Sequence, residues 1–412
     1  MIDLNLLRQE PEKISALIKR KDPLFPIEQL IAYEHEYRSL NHSIELLRAE
    51  KNELARQAQK GITKEVRQRS KEISTQIKEQ EARFQAIEKL FYDLYLKCPN
   101  LPAEDIPVGG KEANKVMKVF KDKPLFDFSI KNHLELGKQL RWFDFEAAAR
   151  LAGNNFVVYH DQAVTLLYAL TIFMFNTNRK HGYVPCLPPY VVNEKSLECA
   201  GNFPRFKEEV YAIPADGLYL IPTAEVSLTN MYRDHIFTTE ALPLRMTSWT
   251  SCFRREAGSY GATERGLIRL HEFEKVELYA ICLPEESVKE QERMLACAEE
   301  ILQKLGLHYR VSLLATQDCS FQSMRTFDIE VWMPGQNEYK EVSSMSDCGT
   351  FQARRAQLRY RDALGQKTHL VHTLNGSSLA LPRLMVALME TYQQDDGTIA
   401  LPDVLKSVSL EL

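Results

Sequence analysis

The 412-residue sequence predicts an α+β protein, in which an antiparallel coiled-coil hairpin of two helices precedes a domain built on a largely antiparallel sheet flanked by helices. A seven-residue apolar rhythm through residues 27–98 predicts the hairpin. Short β-branched and aromatic runs alternating with helical stretches predict the second domain. Between them, the Pro- and Gly-rich residues 99–110 predict a linker. We therefore expect an N-terminal arm with its linker at 1–111 and a C-terminal domain at 112–412.

The composition is that of an ordinary globular protein, with 44% hydrophobic and 26% charged residues. The net charge of −4 excludes general polyanion binding, so any contact with nucleic acid needs a local basic patch. The eight cysteines form no C-x-x-C pair, and neither zinc nor a disulfide framework is expected. The N-terminus has no signal-peptide pattern, and the apolar run 163–175 is too short for a bilayer. We expect a cytoplasmic protein with no membrane partner.

The predicted hairpin has two apolar blocks, from Leu30 to Ala58 and from Val66 to Cys98, with Gly61 as the turn. Its tip carries a local charge of +5, because six cations and one acid lie between positions 56 and 71. The six cations, here called the tip cluster, are Arg56, Lys60, Lys64, Arg67, Arg69 and Lys71. Such a run is often only a solvated helix face, but clustered cations also bind RNA phosphates. Both interpretations remain open from the charge pattern alone.

In the C-terminal part, strands are predicted at 209–220, 267–280 and 326–332, and a helix at 285–305. No Gly-rich phosphate loop occurs, so bound ATP would need arginine side chains to hold its phosphates.

The most informative segment is 253–277, where two strand-like ends flank a polar loop containing glycines. Residues two apart on a strand share a face, which pairs Arg254 with Glu256 and aligns Phe273, Lys275 and Glu277. A guanidinium, a carboxylate and an aromatic ring on one surface suit a nucleotide. The alternative is a charged hairpin on an exposed sheet.

This segment resembles the second signature motif of class II aminoacyl-tRNA synthetases, in the form typical of the seryl family. Four further segments agree with that family in the expected order. They are the first signature motif (182–193), the serine-binding loop (222–225), the ATP and metal strand (341–344 with 351–355) and the third signature motif (374–383). The resemblance to bacterial-type enzymes covers essentially the whole chain. Departures occur in the third motif, where Ser378 and Pro382 stand at positions that are usually glycine.

The resemblance implies ATP-dependent activation of L-serine to seryl-adenylate and transfer of serine to tRNA(Ser), with tRNA(Sec) as an open second acceptor. It implies Mg2+ as cofactor, a homodimer formed through the first motif, and tRNA binding by the tip cluster. Implied catalytic residues are Arg254, Glu277 and Arg383. Implied serine-binding residues are Thr223, Ala224, Glu225, Arg254, Glu277 and Ser377. Implied ATP-binding residues are Arg254, Arg255, Glu256, Arg269, Phe273, Glu341, Val342, Ser343, Ser344 and Arg383, with Glu341 and Ser344 as metal ligands.

The resemblance also implies that Phe273 and Arg383 lie on the two faces of the adenine.

Two rival functions remain. A seryl-synthetase-like ligase that loads a carrier protein lacks the long basic hairpin, which this chain has. A catalytically silent RNA-binding paralogue predicts losses at the four positions that hold the nucleotide, all of which are present: Arg254, Glu256, Glu341 and Arg383. A purely structural coiled coil would explain only the N-terminal part.

Overall fold

The computed structural model describes residues 1–61, 63–257, 266–362, 365 and 367–406, with only the backbone described at Lys60. The chain divides into two compact units, the first ending at Pro99 and the second beginning at Asn100. Among the described helices, none has the length and apolarity needed to cross a bilayer.

The first unit consists of four helices, α1 (Leu4–Gln9), α2 (Pro11–Lys21), α3 (Ile27–Lys60) and α4 (Lys64–Tyr95). The last two form the predicted hairpin, which is confirmed. With 34 and 32 residues they reach about 50 Å at 1.5 Å per residue. Helix α4 begins at the tip, where the Thr63 hydroxyl accepts a hydrogen bond from the Val66 N–H.

Apolar side chains of α3 and α4 form the seam between them, and Leu30, Ile44, Ile73 and Phe91 are buried there. Tyr37 stacks on Phe91 with 5.3 Å between the ring centroids. Three ion pairs cross the seam, Arg48–Glu81, Arg69–Glu50 and Arg83–Glu36. The seven-residue apolar repeat therefore forms the predicted contact between the two helices, because each helix buries its apolar stripe against the other.

The second unit contains an eight-stranded sheet in the order β1-β11-β12-β13-β16-β10-β9-β4. All of its neighbours are antiparallel except β4 and β9, so the predicted antiparallel sheet is confirmed. In chain order the strands are β1 (Lys115–Phe120), β2 (Phe143–Asp144), β3 (Val158–Tyr159), β4 (Val184–Pro185), β5 (Val191–Asn193), β6 (Ala212–Ile213), β7 (Leu218–Leu220), β8 (Ile236–Phe237), β9 (Leu244–Phe253), β10 (Glu272–Cys282), β11 (Tyr309–Leu313), β12 (Arg325–Met333), β13 (Glu338–Asp347), β14 (Arg359–Arg361), β15 (Thr368–Leu370) and β16 (His372–Ala380). Smaller sheets are β15-β14-β8, β5-β7-β6 and β2-β3.

Helices of the second unit pack on both faces of the large sheet. In chain order they are α5 (His133–Leu140), α6 (Phe145–Ala152), α7 (Gln162–Lys180), α8 (Glu194–Ala200), α9 (Ala224–Asn230), α10 (Ser287–Lys304), α11 (Phe351–Ala356), α12 (Leu381–Tyr392) and α13 (Asp403–Lys406). Side chains of α7, α10 and α12 form the main core with Val276 and Leu278 of β10. Because side chains alternate along a strand, Lys275 and Glu277 of β10 point to the opposite face. That face carries the candidate site.

Candidate active site

A cleft of about 200 Å³, open to solvent, lies on this opposite face. Its walls come from β10, β13, β16, the start of α12, residues 267–270, and Arg254 and Glu256 after β9. Eight of the residues implied by the family resemblance line it together: Arg254, Glu256, Arg269, Phe273, Glu341, Val342, Ser377 and Arg383. Residues separated by more than a hundred positions in the chain therefore meet in one place.

One wall of the cleft is formed by Arg254 and Phe273. The Arg254 guanidinium carbon lies 5.1 Å from the Phe273 ring centroid, within the range of a cation–π contact. Its Nε donates to the Pro222 carbonyl at 3.2 Å, and its backbone N–H donates to the His271 carbonyl at 2.9 Å. Arg254 is thereby held between the loop before α9 and the strand that carries Phe273.

At the outer end of the cleft, Glu256 and Arg269 form a close ion pair. Glu256 has a φ of +51°, the left-handed region that a residue with a Cβ seldom occupies. This backbone conformation turns its carboxylate toward Arg269. An acid and a base that could each contact a nucleotide thus neutralise one another across the cleft.

The opposite wall is formed by Arg383 in the first turn of α12. Its Nη1 donates to the Glu341 carbonyl at 2.7 Å and lies 3.9 Å from the Glu341 carboxylate. Its Nε donates to the Ile268 carbonyl at 3.2 Å. Pro382 fits beside it because the first helical turn needs no N–H from that residue.

Deeper in the site, Thr223, Lys275 and Glu277 form a buried polar cluster. The Thr223 hydroxyl donates to Glu277 Oε2 at 2.7 Å and accepts from Lys275 Nζ at 2.8 Å. Lys275 also forms a close ion pair with Glu277, whose exposure is only 1%. The alternation along the strand predicted that Lys275 shares a face with Phe273 and Glu277, but no role was predicted for it.

Glu225, in the first turn of α9, is a second buried acid beside this cluster. Burial, and next the negative charge of Glu277, raise its pKa from 4.5 to about 7. Its Oε1 accepts from Asn375 Nδ2 at 3.0 Å and from Gln352 Nε2 at 2.5 Å. Both donors are uncharged amides, so they orient the carboxyl group without a full compensating charge. Sequence reasoning missed Asn375 and Gln352, although both lie inside the segments that resemble the family.

Glu341 and Ser344 are three apart, yet a bulge in β13 places them on the same face. Glu341 pairs with Glu330 of β12, and Ser344 pairs with Asp328, so Val342 is the extra residue. Asp328 lies beside both predicted ligands. Burial, followed by the Glu341 charge, raises the pKa of Asp328, while a hydrogen bond with Ser344 opposes the rise.

The donors near this bulge are hydroxyl and carboxylate oxygens, the type that magnesium prefers. The Asp328 Oδ1 atom is buried and has no hydrogen-bond partner among the described residues. No group of three or more His, Cys, Asp or Glu side chains suited to a metal occurs in the part of the chain that the structure describes. A magnesium site here would therefore include the Ser344 hydroxyl. The residues present fit such an ion.

Seven implied residues do not line the cleft: Thr223, Glu225, Glu277 and Ser344, described above, and Ala224, Arg255 and Ser343. Ala224 is fully buried at the start of α9. Arg255 is exposed, and its backbone N–H donates to the Glu209 carbonyl at 2.8 Å. Ser343 is buried and its hydroxyl donates to the Ser377 carbonyl at 2.6 Å, so it links β13 to β16.

The tip cluster occupies the far end of the hairpin. Lys64, Arg67 and Lys71 are exposed there, and the side chain of Lys60 lies outside the described residues. Arg69 instead forms two hydrogen bonds, of 2.8 and 3.0 Å, with the Glu50 carboxylate of the other helix. Arg69 therefore links α3 to α4, and its charge is partly neutralised by Glu50.

Comparison with known proteins gives one consistent result. Residues 1–102 match the family model "Seryl-tRNA synthetase N-terminal domain", and residues 208–392 match "tRNA synthetase class II core domain (G, H, P, S and T)". A serine–tRNA ligase of Akkermansia muciniphila is 43% identical over 414 residues, covering 98% of this chain and 97% of the relative. One from Syntrophobacter fumaroxidans is 42% identical, covering 98% of each.

Among solved structures, seryl-tRNA synthetase from Pyrococcus horikoshii complexed with ATP superposes with a TM-score of 0.92. It is 32% identical and is matched over 99% of this chain and 98% of its own. The cytoplasmic serine–tRNA ligase of Naegleria fowleri in complex with AMP shares the fold, with a TM-score of 0.85 at 24% identity, over 99% of this chain and 97% of its own.

Proposed function

The chain belongs to the seryl-tRNA synthetase family, and from that premise we propose how its residues carry out the reaction. It is a serine–tRNA ligase, which activates L-serine with ATP and transfers the serine to tRNA. We assign the catalytic domain to residues 112–412 and the tRNA-binding arm with its linker to 1–111. A single observation carries the assignment of the site: Arg254, Glu341 and Arg383 converge on one cleft next to the buried cluster around Glu277.

In the proposed ATP half of the site, the adenine stacks on Phe273, with Arg383 on its other face and its amino group near Glu256. The Arg254 guanidinium, already beside that ring, would contact the α-phosphate and the serine carboxylate. Arg269 would leave Glu256 to contact the outer phosphate. Glu341 and Ser344 would hold a magnesium ion, which neutralises phosphate charge when bound.

In the proposed serine half, Glu225 binds the substrate ammonium and Glu277 accepts the substrate hydroxyl. Thr223 and Lys275 fix the Glu277 carboxylate in place through the contacts described above. Alanine would leave a buried acceptor unpaired and is rejected for that reason. Threonine is excluded only by lack of room for its methyl group, which is the weaker discrimination.

The reaction then follows from position and charge. The serine carboxylate attacks the α-phosphorus in line, the bond to the β-phosphate oxygen breaks, and pyrophosphate leaves. Arg254 and Arg383 stabilise the negative charge that develops on the phosphate oxygens. A ribose hydroxyl at the end of the tRNA next gives up its proton and attacks the seryl carbonyl carbon, the bond from that carbon to the phosphate oxygen breaks, and AMP leaves. Correct placement is the main contribution of the protein to this step.

The test is serine-dependent exchange between ATP and pyrophosphate, measured for the wild type and for Arg254→Ala. We expect exchange with serine, none with alanine or glycine, and a loss of at least about a hundredfold in the variant. Arg150→Ala, an exposed arginine of α6 that does not line the cleft, is the matched control and should keep full activity. Unchanged exchange in Arg254→Ala would refute the assignment.

We also propose a homodimer formed through residues 182–193. The edge strand β4 and the segment after it expose Val184 (62%) and Leu187 (71%), and α7 exposes Tyr168 and Ile172. Exposed apolar side chains beside an open sheet edge mark an interaction surface. Val184→Glu should therefore shift the mass measured by light scattering from two chains to one, whereas an unchanged mass would exclude this surface.

For the arm, we propose that the exposed members of the tip cluster bind tRNA phosphates. Separate measurements of the charging of tRNA(Ser) and tRNA(Sec) show which acceptor is used.

We further propose a cytoplasmic location. All eight cysteines are free thiols, as expected in a reducing compartment.

A further inference from the structure

His133, in the first turn of α5, lies outside the cleft and has no role in the proposed reaction. It is buried with 3% exposure, and its Nδ1 lies 3.1 Å from Glu390 Oε1. Its backbone N–H donates to the same oxygen at 3.0 Å. Glu390 stands in the last turn of α12, is completely buried, and also accepts from the Gly335 N–H at 2.9 Å. A buried carboxylate with several donors is a rigid junction, which here joins α12, α5 and the turn after β12.

The other side of the imidazole faces Gly266. His133 Nε2 is buried and has no hydrogen-bond partner among the described residues. A Cβ atom built at Gly266 would lie only 2.4 Å from this nitrogen and 2.6 Å from Leu134 Cδ2. Gly266 also has a φ of +68°, which favours glycine. The backbone at this position therefore rests directly against the imidazole edge.

Gly266 is the first residue of the segment that forms the floor of the nucleotide cleft. The next four residues, Leu267 to Leu270, all line that cleft. Helix α12 contacts this segment at both of its ends: Arg383 donates to the Ile268 carbonyl, and Glu390 reaches Gly266 through His133. Arg383 and Glu390 are seven residues apart, about two turns, and so lie on the same side of the helix.

We propose that His133 is a positioning residue for the ATP half of the site, a role that rests on the proposed function of the cleft. Glu390 fixes the imidazole, and the imidazole sets where the backbone of Gly266 lies. The position of Gly266 in turn sets the floor of the cleft and the direction of Arg269. The serine half of the site contains none of these contacts.

The experiment compares His133→Ala with His133→Gln in serine-dependent exchange. His133→Ala should raise the KM for ATP about tenfold, because a small displacement of binding groups is costly, and leave the KM for serine unchanged. His133→Gln keeps a donor toward Glu390 and should recover most of the ATP affinity. An equal rise in both KM values, or no recovery with glutamine, would overturn the proposal in favour of a general packing role.

A glycine series tests the contact itself. Gly266→Ala adds a Cβ against His133, whereas Gly217→Ala has a similar φ of +64° and open space within 4 Å, and so reports the backbone strain alone. Gly266→Ala should raise the KM for ATP in the wild type but much less in the His133→Ala background. An equal effect in both backgrounds would show that the imidazole does not set the position of Gly266.

The two proposals fail in different ways. If the cleft is not the ATP site, Arg254→Ala keeps its exchange activity. If only the role of His133 is wrong, Arg254→Ala still loses exchange while the KM for ATP in His133→Ala stays at the wild-type value. Melting temperatures of all variants, compared with the wild type, separate poorly folded protein from altered binding.

Discussion

Serine binding should depend on pH near neutrality because of Glu225. The carboxyl group of Glu225 has a pKa of about 7, and only its ionised form attracts the substrate ammonium. With this pKa, the fraction of competent sites rises from about one in eleven at pH 6 to about ten in eleven at pH 8. The KM for serine should therefore fall about tenfold over this range, while the KM for ATP stays constant.

Two measurements check this prediction. Serine-dependent exchange gives the KM values between pH 6 and pH 8, and calorimetry in two buffers of different ionisation enthalpy counts the protons. At pH 7, binding of serine should release about half a proton per site, because the carboxyl group is half protonated before binding. Glu225→Gln should weaken serine binding and remove its pH dependence. A flat KM for serine in the wild type, or the same slope in Glu225→Gln, would refute the reasoning.

The same carboxyl group affects stability with a defined sign. Its folded-state pKa lies above the usual 4.5, so folding favours the protonated form. That contribution is complete below about pH 4.5 and is lost as the pH rises through 7. Glu225→Gln should therefore raise the melting temperature at pH 8, where the difference is on the order of 3 kcal/mol, and change it little at pH 4.5.

Three further outcomes follow from contacts described above. Lys275→Met leaves Glu277 buried without its cation, so the free energy of unfolding measured in urea should fall by about 3–5 kcal/mol. Adding Glu277→Gln to this variant should restore most of the stability. Equal stability of the single and double variants would contradict this. Gly376→Ala places a Cβ 2.0 Å from Met345 Sδ and should lower the free energy of unfolding by about 1–3 kcal/mol. Adding Met345→Ala should restore most of this stability. If it restores none, the strain lies in the backbone. Neutralising the tip cluster except Arg69 should lower tRNA charging but not exchange. If exchange also falls in this variant, the arm is structural. Arg69→Ala alone should lower the melting temperature.

The sequence predicted the hairpin well because its signal is long and repetitive. Heptad positions along 27–98 report one kind of contact many times, so the occasional polar seam position does no harm. The predicted helix at 285–305 was also close to the observed Ser287–Lys304, since its amphipathic pattern is complete within one element.

Short strands were predicted less well. The strand expected at 209–220 is two strands, β6 and β7, separated by a turn at the Pro-Ala-Asp-Gly sequence that ends in Gly217. That turn signal was present and was overlooked. The strand expected from residue 267 begins only at Glu272, because Gly266 opens a short 3-10 turn instead.

In the candidate site, alternation along one strand predicted which residues share a face but not which residues from other strands meet them. The contact between Glu225 and Gln352 joins positions 127 residues apart, and no local pattern encodes such a distance. Only the family resemblance brought Glu341 and Arg383 together before the structure did. The position of Asp328 beside Glu341 and Ser344 emerged from the register of the sheet.

The bulge in β13 determines which side chains of this strand share a face, because it adds one residue opposite β12. Because one unpaired residue separates Glu341 from Ser344, their common orientation depends on the number of residues between them and hardly on which residues these are. Substituting Val342 by another apolar residue should be tolerated, whereas deleting it would turn one oxygen donor to the core side of the sheet. Natural variation at this point is therefore expected to change residue identity and to preserve length.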